Sequence, residues 1–210
     1  MPSAPLKAQI EAYAHGRVPR ALRRRQIVAE ARALFTEQGF HGASMDELSA
    51  RVGVSKPALY KTVGSKDALL ALVIDEVEAE LSSALADAVI GAPPPARLRA
   101  GLLAFFRYVE ANRAAWAALM AGPGLQTAPW TEMRQRQAQL VAELLLNSAT
   151  PAAPFPSEQA SQLLAHALNG AVETVALWWQ AHPELSPEQL ADRLDALFSP
   201  TLFALAGQPL

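Results

Sequence analysis

The chain has no cysteine among its 210 residues. That excludes disulfides, thiolate zinc sites and cysteine nucleophiles, and it fits a reducing compartment. Alternating runs of Val, Ile and Thr are hard to find, so no sheet is expected. No apolar run reaches the ~18 residues of a membrane span. The first residues lack the charged start and apolar core of a secretory signal. A cytoplasmic protein with no membrane partner is the expectation. The four histidines, His15, His41, His166 and His182, show no metal-ligand spacing. There is no glycine-rich phosphate loop, and no group of residues suits hydrolysis or transfer. Neither an enzyme nor a bound metal or cofactor is expected.

Hydrophobic residues make up 51% of the chain, led by the helix formers Ala and Leu. The length allows one domain with a good core or two smaller ones. The fold class is therefore read as all-α. A net charge of only −2 conceals an asymmetry. Residues 1–68 carry +5 and the remainder −7. A basic head on an acidic body suits a polyanion partner, although chance clustering on solvated faces gives the same count.

The pattern of stripes, caps and breakers predicts about nine helices. Residues 1–19 hold three prolines and read as a flexible basic arm. A helix over 20–38 carries Ile27, Ala31, Leu34 and Phe35 on one stripe and ends at Gly39 in a left-handed cap. Ser44 to Glu47 match a capping box that opens a second helix ending near Val52. Gly53 supplies the positive φ of a sharp turn. Ser55 caps a short helix over 56–62, with Pro57 in its first turn, where a missing N–H costs little. Gly64 closes it, and Ser65 caps a long helix reaching Ile90. Further helices are predicted over 96–111, on to Met120, over 130–147 and over 157–180. A last one starts at Ser186-Pro187-Glu188-Gln189, and Pro200 should kink or end it.

Two short helices joined through Gly53 make a helix-turn-helix, whose second helix enters the DNA major groove. That explains the mixture in GVSKPALYK, residues 53–61. Ser55 leaves an amide end for a phosphate. Pro57 stiffens the first turn, and Ala58 can touch a thymine methyl. Leu59 and Val63 hold the helix down, while Tyr60, Lys56 and Lys61 face the DNA. Thr62 is counted with them. Lys66 can reach the same strand, and the amide end near Ser44 and Met45 can meet another phosphate. Arg17 to Arg25 include five arginines, which suit a minor-groove arm or a solvated helix start equally well.

Residues 24–75 resemble the N-terminal domain of TetR-type transcriptional regulators. The likeness rests on the stripe ending at Phe35, Gly39-Phe40, Ser44 with Leu48, Gly53-Val54-Ser55, Leu59-Tyr60, and Ser65 through Leu70. Val52 and Val63 depart from the pattern, apolar for apolar. The resemblance implies a homodimer with a C-terminal helical ligand-binding core, and usually a repressor. On that basis 20–68 should bind DNA and 69–210 should sense an effector and dimerise.

One recognition helix makes few base contacts, whereas two about 34 Å apart read two half-sites, which favours a dimer independently. Interface candidates are Leu164, Leu168, Ala171, Val172, Val175 and Trp179, with Leu190, Leu194, Leu197 and Phe198. For such stripes alone, packing within the chain is the better reading; with the resemblance, an interface is favoured. Phe105, Phe106, Tyr108, Trp116, Met120, Trp130 and Met133 could line a pocket for a small apolar or amphipathic effector. Core packing explains any one of them more often. Gln162, His166, Asn169 and Glu173 form a polar line that is either a wet outer face or part of such a pocket. The sequence thus reads as a ligand-responsive repressor that binds a palindromic double-stranded operator as a dimer. The alternative is a DNA-binding protein of the same fold with a protein partner and no small-molecule effector.

Overall fold

The computed structural model describes residues 6–13, 18–120, 128–146 and 158–206. All elements among them are helical: α1 (Leu6–Glu11), α2 (Arg20–Gly42), α3 (Met45–Val52), α4 (Lys56–Val63) and α5 (Lys66–Ile90), then a 3₁₀ turn (Pro94–Ala96), α6 (Arg97–Ala111), α7 (Arg113–Met120), α8 (Ala128–Leu146), α9 (Glu158–Trp179) and α10 (Pro187–Ala206). The fold is all-α, with an N-terminal helix-turn-helix domain followed by a C-terminal helical domain. By its internal contacts the chain divides into two compact units. One holds Met1–Glu76 with Ala114–Leu125, the other Val77–Arg113 with Gln126–Leu210.

In the first unit α2, α3 and α4 pack on one another. Ile27, Ala31, Leu34 and Phe35 of α2, Leu48 and Val52 of α3, Leu59 and Val63 of α4, and Leu69, Val73 and Ile74 of α5 are all buried. Serine caps start three helices in a row. Ser44 Oγ accepts from Glu47 N at 3.0 Å, Ser55 Oγ from Ala58 N at 3.4 Å, and Ser65 Oγ from Ala68 N at 3.0 Å. Each satisfies an amide that has no partner within its helix.

Several expectations are corrected here. The arm over 1–19 contains α1, which packs against α2. Only Leu6 and Ile10 mark it in the sequence, too short a pattern to read as a helix. The regular helix does break at Gly39, as expected, but not in a left-handed cap. The φ of 71° there comes with a ψ of 165°, and a further turn, closed by Ala43 N donating to Gly39 O, carries the chain to Gly42. Pro200 does not end α10, which continues to Ala206.

The second unit is built on two helix pairs, α10 on α6 and α8 on α9. The first pair buries Leu102, Phe106 and Val109 with Leu190, Ala191 and Leu194, and Arg99–Asp192 (2.6 Å) and Arg107–Glu188 (2.9 Å) join it at the surface. In the second pair Ala138, Ala142 and Ala165 form the contact, and such small residues let the helices approach closely. The capping box at the start of α10 is complete. Ser186 Oγ accepts from Gln189 N (3.2 Å), and Gln189 Oε1 accepts from Ser186 N (2.9 Å).

Gly39 and Gly53 share a φ of 71°, but Gly53 has a ψ of 39°. Gly53 is left-handed helical, which other residues reach at a cost of roughly 1–2 kcal/mol. Gly39 lies in a region almost closed to anything but glycine. An added Cβ would meet nothing within 4 Å at either position, so the backbone alone decides the cost. Gly39→Ala is therefore expected to destabilise more than Gly53→Ala, and Gly53→Asn least of the three. Urea unfolding of the full chain measures this order; equal costs at both positions would contradict it.

Candidate nucleic-acid interface

The turn between α3 and α4 is held from inside. Gly53 N donates to Ser49 O at 3.0 Å, and Ser49 Oγ donates to Val54 O at 2.7 Å. Leu59, fully buried, and Val63 pin α4 to the core. The opposite face then has to point outward. Ser55, Lys56, Pro57, Ala58, Tyr60 and Lys61 are exposed, Tyr60 at 39% despite its size. Thr62 is half-buried and its hydroxyl donates to Ala58 O at 2.8 Å, which leaves its oxygen able to accept only. A short stiff helix thus presents one phenol and two ammonium groups from a fixed frame.

Neighbouring carboxylates tune this face. The Lys56 ammonium lies 2.8 Å from Asp46, and that hydrogen bond pushes the Lys56 pKa up and keeps it charged. Arg51 bonds Glu37 at 2.6 Å and Glu47 at 2.7 Å. It holds the Glu37 carboxyl below the usual range; Glu47 is lowered first by the Gln38 amide and then by Arg51. This is why the box expected at Ser44 is only half made: Glu47 turns to Gln38 and Arg51. A charged fork wins over a backbone amide.

Two of the expected DNA contacts are placed differently from their neighbours. The Met45 side chain is buried, so only its amide is available. Lys66 is half-buried, with its ammonium over the Phe40 ring at 4.6 Å and donating to His41 O at 3.4 Å. The α2 terminus and an aromatic face hold that cation; a phosphate has to compete for it. Ser44 is exposed beside Asp46 at the start of α3.

The residues expected to line an effector pocket are placed in several surroundings. Phe105 and Phe106 sit ring to ring at 5.2 Å, and Phe106 meets Trp179 edge-on at 5.8 Å. The Tyr108 hydroxyl donates to Glu80 at 2.9 Å. Trp130 and Met133 are buried. Trp116, in the first unit, is buried too. The Met120 side chain lies outside the described residues. The polar line of α9 changes environment along its length: Gln162 and His166 are exposed, Asn169 is half-buried and Glu173 is buried. Glu173 pairs with Arg134 of α8 at 2.6 Å. Burial pushes its carboxyl above the usual range, against the pull of Arg134. Among the described residues, the buried amide nitrogens of Gln137 and Asn169 have no hydrogen-bond partner. Arg134 and Gln137 were not foreseen; neither shows a pattern until α8 is laid on α9.

The interface expectation also needs correction. Val172, Trp179, Leu190 and Leu194 are buried within the chain itself, so they offer no surface to a partner. Leu164, Leu168, Ala171, Val175 and Phe198 are half-buried on the flanks, and only Leu197 is exposed. The outward face of α9 carries a different set: Leu163, Ala167, Gly170, Thr174, Leu177 and Trp178. That face is uncharged, with small residues at its middle and large apolar ones at its ends. The helix therefore has two stripes, and Val172 and Trp179 of the one expected to be shared belong to the core.

A helix-turn-helix with its cationic probe outward and its apolar side anchored defines a DNA-binding protein. Residues 27–73 match the family model described as bacterial regulatory proteins, tetR family, and residues 94–200 match that of the tetracyclin repressor-like C-terminal domain. The chain belongs to the TetR family and is a DNA-binding transcriptional regulator, not an enzyme. It is 36% identical to a TetR-like transcriptional regulator from Rhodococcus sp. RHA1, whose crystal structure superposes with a TM-score of 0.66 over 91% of this chain and 100% of that one. It is 39% identical over 95 residues to the HTH-type transcriptional activator FasR of Mycolicibacterium smegmatis, covering 45% of this chain and 43% of that protein. It is 33% identical over 69 residues to the HTH-type transcriptional repressor BdcR of Escherichia coli K12, covering 33% of this chain and 35% of that protein. Matches to these two curated relatives thus span less than half of their length. Among the described residues no helix is long and apolar enough to cross a membrane.

Proposed function

We propose that the protein is a homodimeric, cytoplasmic repressor that binds a palindromic operator through α4 and is released by a small effector bound in its C-terminal helices. Residues 20–68 read the operator, and 69–210 dimerise and sense. Ser55, Lys56, Pro57, Ala58, Tyr60, Lys61 and Thr62 meet the DNA, with the amides at Ser44 and Met45 on the backbone. Repression needs only that the bound dimer occupy a promoter. Activation needs a further surface for the transcription machinery, and the named relatives include both signs.

The observation that carries the sensing half is the pair of buried amide donors without acceptors, Gln137 on α8 and Asn169 on α9. Such a group costs about 1–3 kcal/mol while unsatisfied. A bound molecule with an acceptor oxygen relieves that cost. Arg134 is already paired with Glu173, buried one turn from Asn169, so it is not free to hold an anion there, and the acceptor belongs to a neutral carbonyl on an apolar body. Helix α5, unbroken from Lys66 to Ile90, gives such binding a route toward α4. The effector shifts DNA affinity only by its preference for the DNA-incompetent form.

Selection of bound sites from random duplex DNA tests the operator half. The expected product is an inverted repeat with half-sites about one helical turn apart, ~34 Å. Enrichment of a single unrepeated site would overturn it. For the sensing half, 2-undecanone should bind and weaken the DNA complex, undecane should do so far less, and Asn169→Leu should level the two. DNA affinity indifferent to both compounds would remove this effector class and leave the DNA reading standing.

A further inference from the structure

The first unit carries a second cationic feature beside α4. The first two turns of α2 (Arg20, Ala21, Arg24), the end of α4 (Thr62, Val63) and the start of α5 (Ala68, Leu72) line an open groove of about 730 Å³. Three of the nearby cations are already engaged. Lys56 is held by Asp46, Arg51 by Glu37 and Glu47, and Arg23 donates to Gln26 Oε1 at 2.5 Å and to Val52 O at 3.3 Å. Among the described residues, no hydrogen bond or ion pair engages Arg20 or Arg24, and both are exposed. The fold has therefore sorted the arginine run: Arg23 secures the turn from within, while Arg20 and Arg24 offer free guanidinium groups to the groove.

The groove's position selects its occupant. Its middle wall is the last turn of the recognition helix, so a duplex seated on α4 brings its backbone past this point. The groove is open to solvent, which suits a strand and not an enclosed small anion. Arg20 and Arg24 lie one turn apart, ~6 Å along the axis, comparable to the step between successive phosphates on one strand. Guanidinium groups bind phosphate oxygens in forked pairs. Val63 and Leu72 supply an apolar wall for the sugars.

We propose that Arg20 and Arg24 form a sequence-independent track for one DNA strand, adding phosphate contacts beyond those of α4. This rests on the reading of α4 as the recognition helix. The track raises affinity for every duplex and leaves the ranking of sequences to α4.

The test compares full-length R20A/R24A with R25A. Arg25 is exposed but does not line the groove. R20A/R24A should lose roughly tenfold or more per arginine, equally for selected and random duplexes. The slope of log affinity against log salt should shrink by about 3.6 for the dimer on its operator, from two phosphates per subunit at ~0.9 each. R25A should leave that slope nearly unchanged. Methylphosphonates at phosphates flanking the half-site should weaken the wild type and add nothing in R20A/R24A. Equal effects per arginine of R25A and R20A/R24A would reduce the groove to a long-range field and overturn the track, as would an unaltered slope or methylphosphonate losses that simply add. Wild-type protein without any preference among duplexes would instead sink the recognition-helix reading. Far-ultraviolet circular dichroism confirms that the variants fold.

Discussion

Leu163→Glu combined with Leu177→Glu is expected to turn the proposed dimer into a folded monomer and to cost 10²- to 10⁴-fold in operator affinity. Helix α9 has two uncharged stripes, and among the described residues only the inner one is packed against the core. Ala165, Val172, Ala176 and Trp179 face the core. Leu163, 71% exposed, begins the other stripe, which continues at helical spacing through Ala167, Gly170 and Thr174 to Leu177 and Trp178. From 163 to 178 that stripe is about 22 Å long at 1.5 Å per residue. Its middle is built of small residues, and an added Cβ on Gly170 would meet nothing within 4 Å, so a second helix can come close there. The leucines and Trp178 at the two ends then supply most of the apolar area. A two-fold axis sets the same stripe against itself. The double variant would place four carboxylates in one apolar seam, which no pairing relieves. The range in affinity comes from losing the tethered second half-site. Light scattering reads the assembly state, and titration against duplexes with one or two half-sites reads the rest. Affinity for a single half-site should hold. A variant that remains dimeric would place the interface elsewhere.

The parts of this molecule that were legible in the sequence are those fixed by neighbours along the chain. Ser44, Ser55, Ser65 and Ser186 start helices because each hydroxyl reaches an amide three residues on. Gly53 turns the chain because only its φ of 71° is needed, and that is a local demand. The outward face of α4 follows from Leu59 and Val63, four apart. What could not be read depends on groups brought together by folding. Glu47 and Gln189 occupy the same box position, yet Gln189 closes its box and Glu47 does not. The difference is Arg51 and Gln38, of which Gln38 comes from another helix. Lys66 is likewise diverted by Phe40 and the His41 carbonyl. Glu173 looked like part of a possible wet face until α8 supplied Arg134. On α9 the inner stripe is the more continuous in apolar residues, which is why spacing marked it; spacing does not say whether such a stripe meets the chain's own core or a second copy.

The two adjacent tryptophans of α9 give the sharpest test of that assignment. Trp179 is fully buried. Its ring meets Phe106 edge-on at 5.8 Å and the Arg113 guanidinium at 4.5 Å, and its Nε1–H donates to Leu185 O at 2.8 Å. That bond ties the end of α9 to the turn leading into α10. Trp179→Ala removes the ring, leaves a cavity and orphans the carbonyl, so it should cost ~3–5 kcal/mol. Against a total of roughly 5–15 kcal/mol, such a loss is close to unfolding. Trp179→Phe keeps most of the buried area but gives up the hydrogen bond, at about 1–2 kcal/mol. Trp178 is 47% exposed and stacks on His182 at 3.9 Å. In the monomeric Leu163→Glu/Leu177→Glu background, Trp178→Ala should cost under ~1 kcal/mol, as surface changes usually do. In the wild-type background its cost should be larger and depend on protein concentration, because in the proposed dimer the partner subunit covers the ring. Urea unfolding at two concentrations separates the terms, with the slope m showing whether the unfolded reference has moved. Equal costs for the two tryptophans in the monomeric background would mean that the inner and outer faces of α9 have been exchanged, and the proposed dimer seam would move with them.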